Sequence, residues 1–310
     1  PMIVNSDERQ WTWMDEGLNS FMDYKAKLEW EATYPVERGS PKSMVAYMSG
    51  DQKNLEPIMT NSETIKQFGN NAYGKPAAGL NILRETIMGH ELFDYAFKTY
   101  ANRWKFKHPT PEDFFRTMED ASATDLDWFI RGWFYTTDYT DIGIKEVNQY
   151  FVSNEAPKGF KAPTPSRRNR LKTTGPMVFM VTNTSENFKP EMNKALEIKE
   201  IKTLEDYLQT NFKLEEIAKF DSPKYFYEVT FNKPGGLVMP IIVELTFEDG
   251  TTENHTFPAQ IWRMNDDEVT RTFATKKVIK KIVVDPKLET ADIDVTNNTW
   301  PKEEVKSKFD

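Results

Sequence analysis

Three histidines, no cysteine and an acidic pair set behind two tryptophans are what this 310-residue sequence offers for chemistry. Without Cys there is no disulfide, thiolate metal site or thiol nucleophile. His90 opens "HELFD", residues 90–94, which imitates a His-Glu-x-x-His zinc motif, but Asp94 stands where the second histidine would be. An i, i+4 His/Asp pair shares one helical face and can bind a metal. The residues that follow continue an ordinary amphipathic helix, which favours a packing role. No Gly-x-Ser-x-Gly elbow, glycine-rich phosphate loop or dinucleotide fingerprint occurs. That leaves "QWTWMDEGLNSF", residues 10–21. Acids are seldom buried without a partner. Asp15 and Glu16, among Trp11, Trp13, Met14, Leu18 and Phe21, therefore stand at a helix start or against something positive.

The elements that must position these acids divide the chain in two. Residues 16 to about 135 carry helical periodicity: Leu18, Phe21, Met22 and Leu28 form a stripe that Pro35 stops. Leu80, Leu83 and Ile87 share one face of the next helix, and Leu92, Phe93, Phe97, Tyr100 and Trp104 mark another. Thr110, Pro111 and Asp113 form a helix start, and Thr124 with Asp127 repeats the cap-box spacing. From about residue 177 the period becomes two, in runs such as "YFYEVTF" and "VIKKIVVD", with Asp249-Gly250 as a hairpin turn. Helical signal returns only at "TLEDYLQTNFKLEEIAKF". Between the halves, five basic residues from Lys161 to Lys172 lie in a Pro-rich stretch that reads as a solvated linker. The expected organisation is α+β and multi-domain: a helical part over 1–150, a linker over 151–176, and a β-sandwich-like part over 177–310.

Composition narrows the partners. A hydrophobic share of 38% with 21 Phe, 12 Tyr and 8 Trp describes a globular chain with an aromatic core. The net charge of −8 argues against nucleic acid. No apolar run approaches the roughly 20 residues that span a bilayer.

"WTWMDEGLNSF" resembles the Trp-(Leu/Met)-(Asn/Asp)-Glu-Gly segment of aminopeptidase N-type zinc metallopeptidases, the thermolysin-like gluzincins. "NAYGKPAAGL", with Tyr73, resembles the tyrosine segment that opens a later helix in that family. "TPEDFFRTMEDASATDLDWFIRGWF" resembles the helical end of its catalytic domain. The resemblance covers residues 1 to about 140 well and is looser over 177–300. It implies that Glu16 is a zinc ligand and that Tyr73 donates to the oxyanion formed at the scissile carbonyl. Zinc would be held with the two histidines of a His-Glu-x-x-His motif, whose Glu is the general base. The family interval from that motif to the carboxylate exceeds the fifteen residues ahead of Glu16, so the motif is expected upstream of Pro1. The chain as given is then expected to bind zinc weakly and to be inactive by itself.

The implied activity is hydrolysis of peptides, at their N-termini if the relationship is to aminopeptidases in the narrow sense. Zinc is the implied cofactor, a peptide the implied partner, and a periplasmic, envelope or secreted location follows by analogy. A rival from another class is a catalytically degenerate relative kept as a binding or scaffold protein. A surface-binding β-sandwich with a helical appendage is a third, and it requires a cluster of exposed aromatics on the sandwich.

Overall fold

The computed structural model describes residues 2–36, 38–153, 177–182, 198–217 and 225–302. The helical half contains α1 (Thr12–Trp30), α2 (Val45–Met48), α3 (Lys75–Ile82), α4 (His90–Trp104), α5 (Pro111–Ser122) and α6 (Asp127–Tyr135). Helix α1 starts four residues earlier than the periodicity suggested and ends before Pro35, at Glu31, whose backbone is extended. Its N-terminus is held from outside: Ser62 Oγ accepts from Thr12 N at 3.1 Å. Trp13 then drops into a nest of aromatics, with ring centroids 6.0, 5.7 and 4.9 Å from Phe114, Phe115 and Phe134. Such pairs add ~0.5–1.5 kcal/mol each beyond area burial. That packing fixes the rotation of α1, so Asp15 and Glu16, two and three residues further on, point in determined directions.

Helix α5 starts as the sequence indicates, with a capping box between Thr110 and Asp113 and Pro111 in the first turn. Helix α6 does not. Thr124 donates its hydroxyl to Ser122 O instead of capping. The helix is capped from the preceding one, through Leu126 N donating to Glu119 Oε1 at 2.8 Å. Helix α3 also departs from the amphipathic expectation, because all eight of its residues are buried. A helix covered on every side runs through the core rather than over it.

The β half consists of two antiparallel sheets. One has the order β3–β2–β1–β4–β7, from β1 (Gly143–Ser153), β2 (Met177–Thr182), β3 (Ile198–Thr203), β4 (Tyr225–Asn232) and β7 (Glu268–Thr275). The other has the order β6–β5–β8–β9, from β5 (Ile241–Phe247), β6 (Thr252–Phe257), β8 (Ile279–Val284) and β9 (Thr299–Trp300). Two short helices, α7 (Leu204–Asn211) and α8 (Leu214–Ile217), lie between β3 and β4 in sequence. Tyr227, Val229 and Phe231 of β4 share one core with Val243 and Leu245 of β5 and Ile282 of β8. The Tyr227 hydroxyl ties the sheets together, accepting from Ile279 N at 2.9 Å. Asp249-Gly250 turns the β5–β6 hairpin, with Gly250 at φ 80°.

Strand structure begins at Gly143, well before residue 177. A register shift between Ile144 and Glu146 breaks the alternation of β1, and the polar Asn148 and Gln149 are buried. The basic run Lys161–Lys172 lies outside the described residues. The connection from α6 into β1 is clasped by the far end of the chain. Asp292 Oδ2 accepts from Ile142 N at 3.2 Å. Ile293 N donates to Thr140 O at 3.0 Å, and Asn297 Nδ2 to Asp141 Oδ1 at 2.8 Å.

Candidate active site

Glu16 and Tyr73, 57 positions apart, meet: the Tyr73 hydroxyl donates to Glu16 Oε1 at 2.6 Å. Their meeting depends on how closely two helices approach. Gly17 faces the second helix, where an added Cβ would lie 2.5 Å from Pro76 Cβ and 3.2 Å from Ala72 O. Only glycine lets α1 come this near. Tyr73 belongs to a π-helical segment, Gly69–Gly74, that leads directly into α3. π segments are rare and often sit at functional sites, because the extra residue per turn re-aims a side chain. This one is pinned at Asn71, whose Oδ1 accepts from the Tyr47 hydroxyl at 2.6 Å and whose Nδ2 donates to Glu56 O at 3.0 Å.

The two acids of the pair occupy different surroundings. Trp13 and Met14 are core residues, and Asp15 is nearly as buried, at 8% exposure. Burial pushes the Asp15 carboxyl up from its ordinary value, with a smaller push from Glu16. Glu16 is half-buried and turns toward Tyr73. The Tyr73 phenol is raised above its usual value, first by its hydrogen bond to Glu16 and then by burial, while Arg38 works in the opposite direction.

Sequence reasoning missed two cations here. Arg38 lays its guanidinium on the Tyr73 ring, with Cζ 4.8 Å from the centroid. Nothing in the spacing announces this contact, because it arises through Gly39. That glycine sits at φ 104° against the Tyr24 ring, and its carbonyl accepts from buried Asn81 Nδ2 at 2.6 Å. Lys75 lies two residues beyond Tyr73 and is 1% exposed. Its Nζ donates to Thr136 O at 3.3 Å and stands 5.6 Å from the Trp133 ring. Burial pushes this ammonium down to about 8.

The donor set can be tested against a catalytic zinc, which takes three protein ligands and keeps one position open. Glu16 fits one carboxylate ligand, since Tyr73 engages Oε1 and no described residue bonds Oε2. The histidines are placed elsewhere. His90 pairs with Glu85, His108 Nδ1 bonds Asn5 O at 2.7 Å, and His255 Nε2 lies 3.0 Å from Glu253 Oε1. Asp94 is held by Arg84 at 2.7 and 2.9 Å, so "HELFD" forms an ion-pair network and not a metal pair. The carboxylates of Glu119, Asp125 and Asp127 come within 4.8 Å of one another. Two of the three are already used, Glu119 to cap α6 and Asp125 to pair with Arg263.

Residues 3–133 match the Peptidase family M1 domain. Two curated relatives come from Sulfurisphaera tokodaii. Probable aminopeptidase 1 is 26% identical over 140 residues, covering 43% of this chain and 17% of that protein. Probable aminopeptidase 2 is 24% identical over 178 residues, covering 52% and 22%. The chain thus spans about a fifth of the length of the relatives it matches. Among solved structures, aminopeptidase A of Legionella pneumophila in complex with aspartic acid aligns with 91% of this chain and 24% of its own. It does so at a TM-score of 0.49 and 11% identity. The helical half is similar in sequence to M1 aminopeptidases, as the Glu16 and Tyr73 segments imply. No described helix is long and apolar enough to cross a membrane.

Proposed function

We propose that this chain, whose helical half matches peptidase family M1, belongs to a zinc-dependent aminopeptidase that hydrolyses N-terminal peptide bonds. The carrying observation is the Tyr73–Glu16 hydrogen bond, which joins two segments of the matched span into one site. In this reading Glu16 contributes one carboxylate ligand, and zinc, when bound, supplies a Lewis acid and an activated water. Tyr73 supplies a hydroxyl donor that exchanges Glu16 Oε1 for the oxygen on which negative charge develops. A donor of this kind contributes ~10²–10³ in rate because it binds the transition state better than the ground state. The remaining ligands and the general base are not supplied by the histidines of this chain, all of which have other partners, so the chain alone is expected to be inactive.

The test is made on the intact enzyme with aminoacyl anilides, together with zinc analysis. Tyr73→Phe is expected to lower kcat by ~10²–10³ at unchanged zinc content and circular dichroism. Glu16→Gln is expected to lower zinc affinity and rate together. A zinc-loaded enzyme without peptidase activity, or a fully active Tyr73→Phe, refutes the proposal.

A further inference from the structure

A cleft of about 620 Å³ opens beside Tyr73, with Asn19, Ser20 and Asp23 of α1 along one side and Pro35 and Arg38 among its other lining residues. Glu16, Ser20 and Asp23 follow at i, i+4 and i+7, so the cleft continues the face of α1 that carries Glu16. Its charges are unequal. Asp23 and Lys27 neutralise each other at 2.6 Å. Arg38 has no carboxylate partner among the described residues, although the chain as a whole carries −8. The guanidinium carbon lies over the Tyr73 ring, 4.8 Å from its centroid. A cation–π contact consumes none of the guanidinium's N–H donors, and no described residue accepts from Arg38, which leaves the fork for a ligand. The ring contact restrains the side chain, and the Asn81 bond to the Gly39 carbonyl anchors the backbone beside it, before anything binds.

From this geometry we infer that Arg38 is a carboxylate-binding residue of the cleft, giving the enzyme a preference for peptides with an acidic side chain next to the scissile bond. The inference rests on the peptidase reading above. Its position supports it: Arg38 touches the same ring whose hydroxyl meets the reacting carbonyl in that reading, so its ligand belongs to a residue flanking the bond. The bonding is a two-pronged, charge-assisted contact from the guanidinium edge to the carboxylate. A residue that merely propped the Tyr73 ring would affect every substrate alike, whereas a carboxylate receptor separates acidic from neutral ones.

The experiment uses the intact zinc-loaded enzyme and peptide pairs that differ only as Glu or Gln, on either side of the scissile bond. Wild type is expected to favour the Glu member in one of the two positions by roughly tenfold in kcat/KM. Arg38 is solvent-exposed, which keeps the value at the low end for charged hydrogen bonds. Arg38→Gln is expected to bring that ratio near one, and Arg38→Lys to retain part of it without the planar fork. Calorimetric binding of reduced-bond analogues of the same peptides is expected to show the same ratio. Equal losses on both members, or no Glu preference at either position, overturn the role of Arg38. Absence of turnover in wild type counts against the peptidase reading, and the binding ratio then still decides the fate of Arg38.

Discussion

Replacing Lys75 by Met removes an ammonium that the fold holds at a cost. Burial takes this group from its ordinary 10.5 to about 8, with Asp138 opposing the change. At about 1.4 kcal/mol for each tenfold change in proton affinity, that is about 3 kcal/mol. Below about pH 8 the lysine is charged in both folded and unfolded chains, and the whole penalty is present. Between about 8 and 10.5 the unfolded chain holds the proton that the folded chain has released, so stability rises with pH. Above 10.5 the penalty is gone. The unfolding free energy of Lys75→Met relative to wild type should therefore fall by about 3 kcal/mol between about pH 7 and pH 11. Losing the hydrogen bond to Thr136 O and the contact with Trp133 offsets the absolute gain but not this slope. The tyrosines titrate in both proteins and cancel in the difference. Urea unfolding followed by tryptophan fluorescence measures it, since Trp133 abuts the site. A difference that stays flat with pH, or a Lys75 Nζ resonance titrating at the ordinary value, refutes the reasoning.

Two further outcomes follow from the same region. Gly17→Ala places a methyl 2.5 Å from the rigid ring of Pro76; its overpacking cost of ~1–3 kcal/mol outweighs the ~1 kcal/mol of helix propensity gained. Gly69→Ala, with nothing within 4 Å of its added Cβ, should not destabilise, and a thermal-unfolding ranking in the reverse order sinks the close-approach argument. The Tyr73 phenol, raised mainly by its bond to Glu16, should titrate closer to the ordinary 10.0 in Glu16→Gln. A difference titration against the matching Tyr73→Phe protein reads this, and an unmoved midpoint refutes the coupling.

What the sequence disclosed and what it hid divide along the range of the interactions involved. The start of α5 was legible because Thr110, Pro111 and Asp113 complete their capping among themselves. The start of α6 was not, because its cap is Glu119 in the previous helix. Strand β1 was hidden by its irregular register at Ile144 and by inward polar residues, one of which, Gln149, donates to the Tyr227 hydroxyl at 3.2 Å. Glu16 and Tyr73 were found through the ordered resemblance of their segments, since neither residue type alone singles out a site. Arg38 gave no signal, because it reaches Tyr73 through a carbonyl held by Asn81, 42 positions from Gly39.

The clasp around residues 140–142 also sets an order of events in folding. Ile142 and its acceptor Asp292 are 150 positions apart, and closing so long a loop costs ~4 kcal/mol of chain entropy before any contact repays it. At ~5–20 residues per second of synthesis, the helices leave the ribosome roughly 10–30 s before Asp292 does. The cleft beside Tyr73 can therefore form early, from local helix contacts. The connector that leads out of α6 must instead wait, with its backbone donors facing water, for the last part of the β half to arrive and close it.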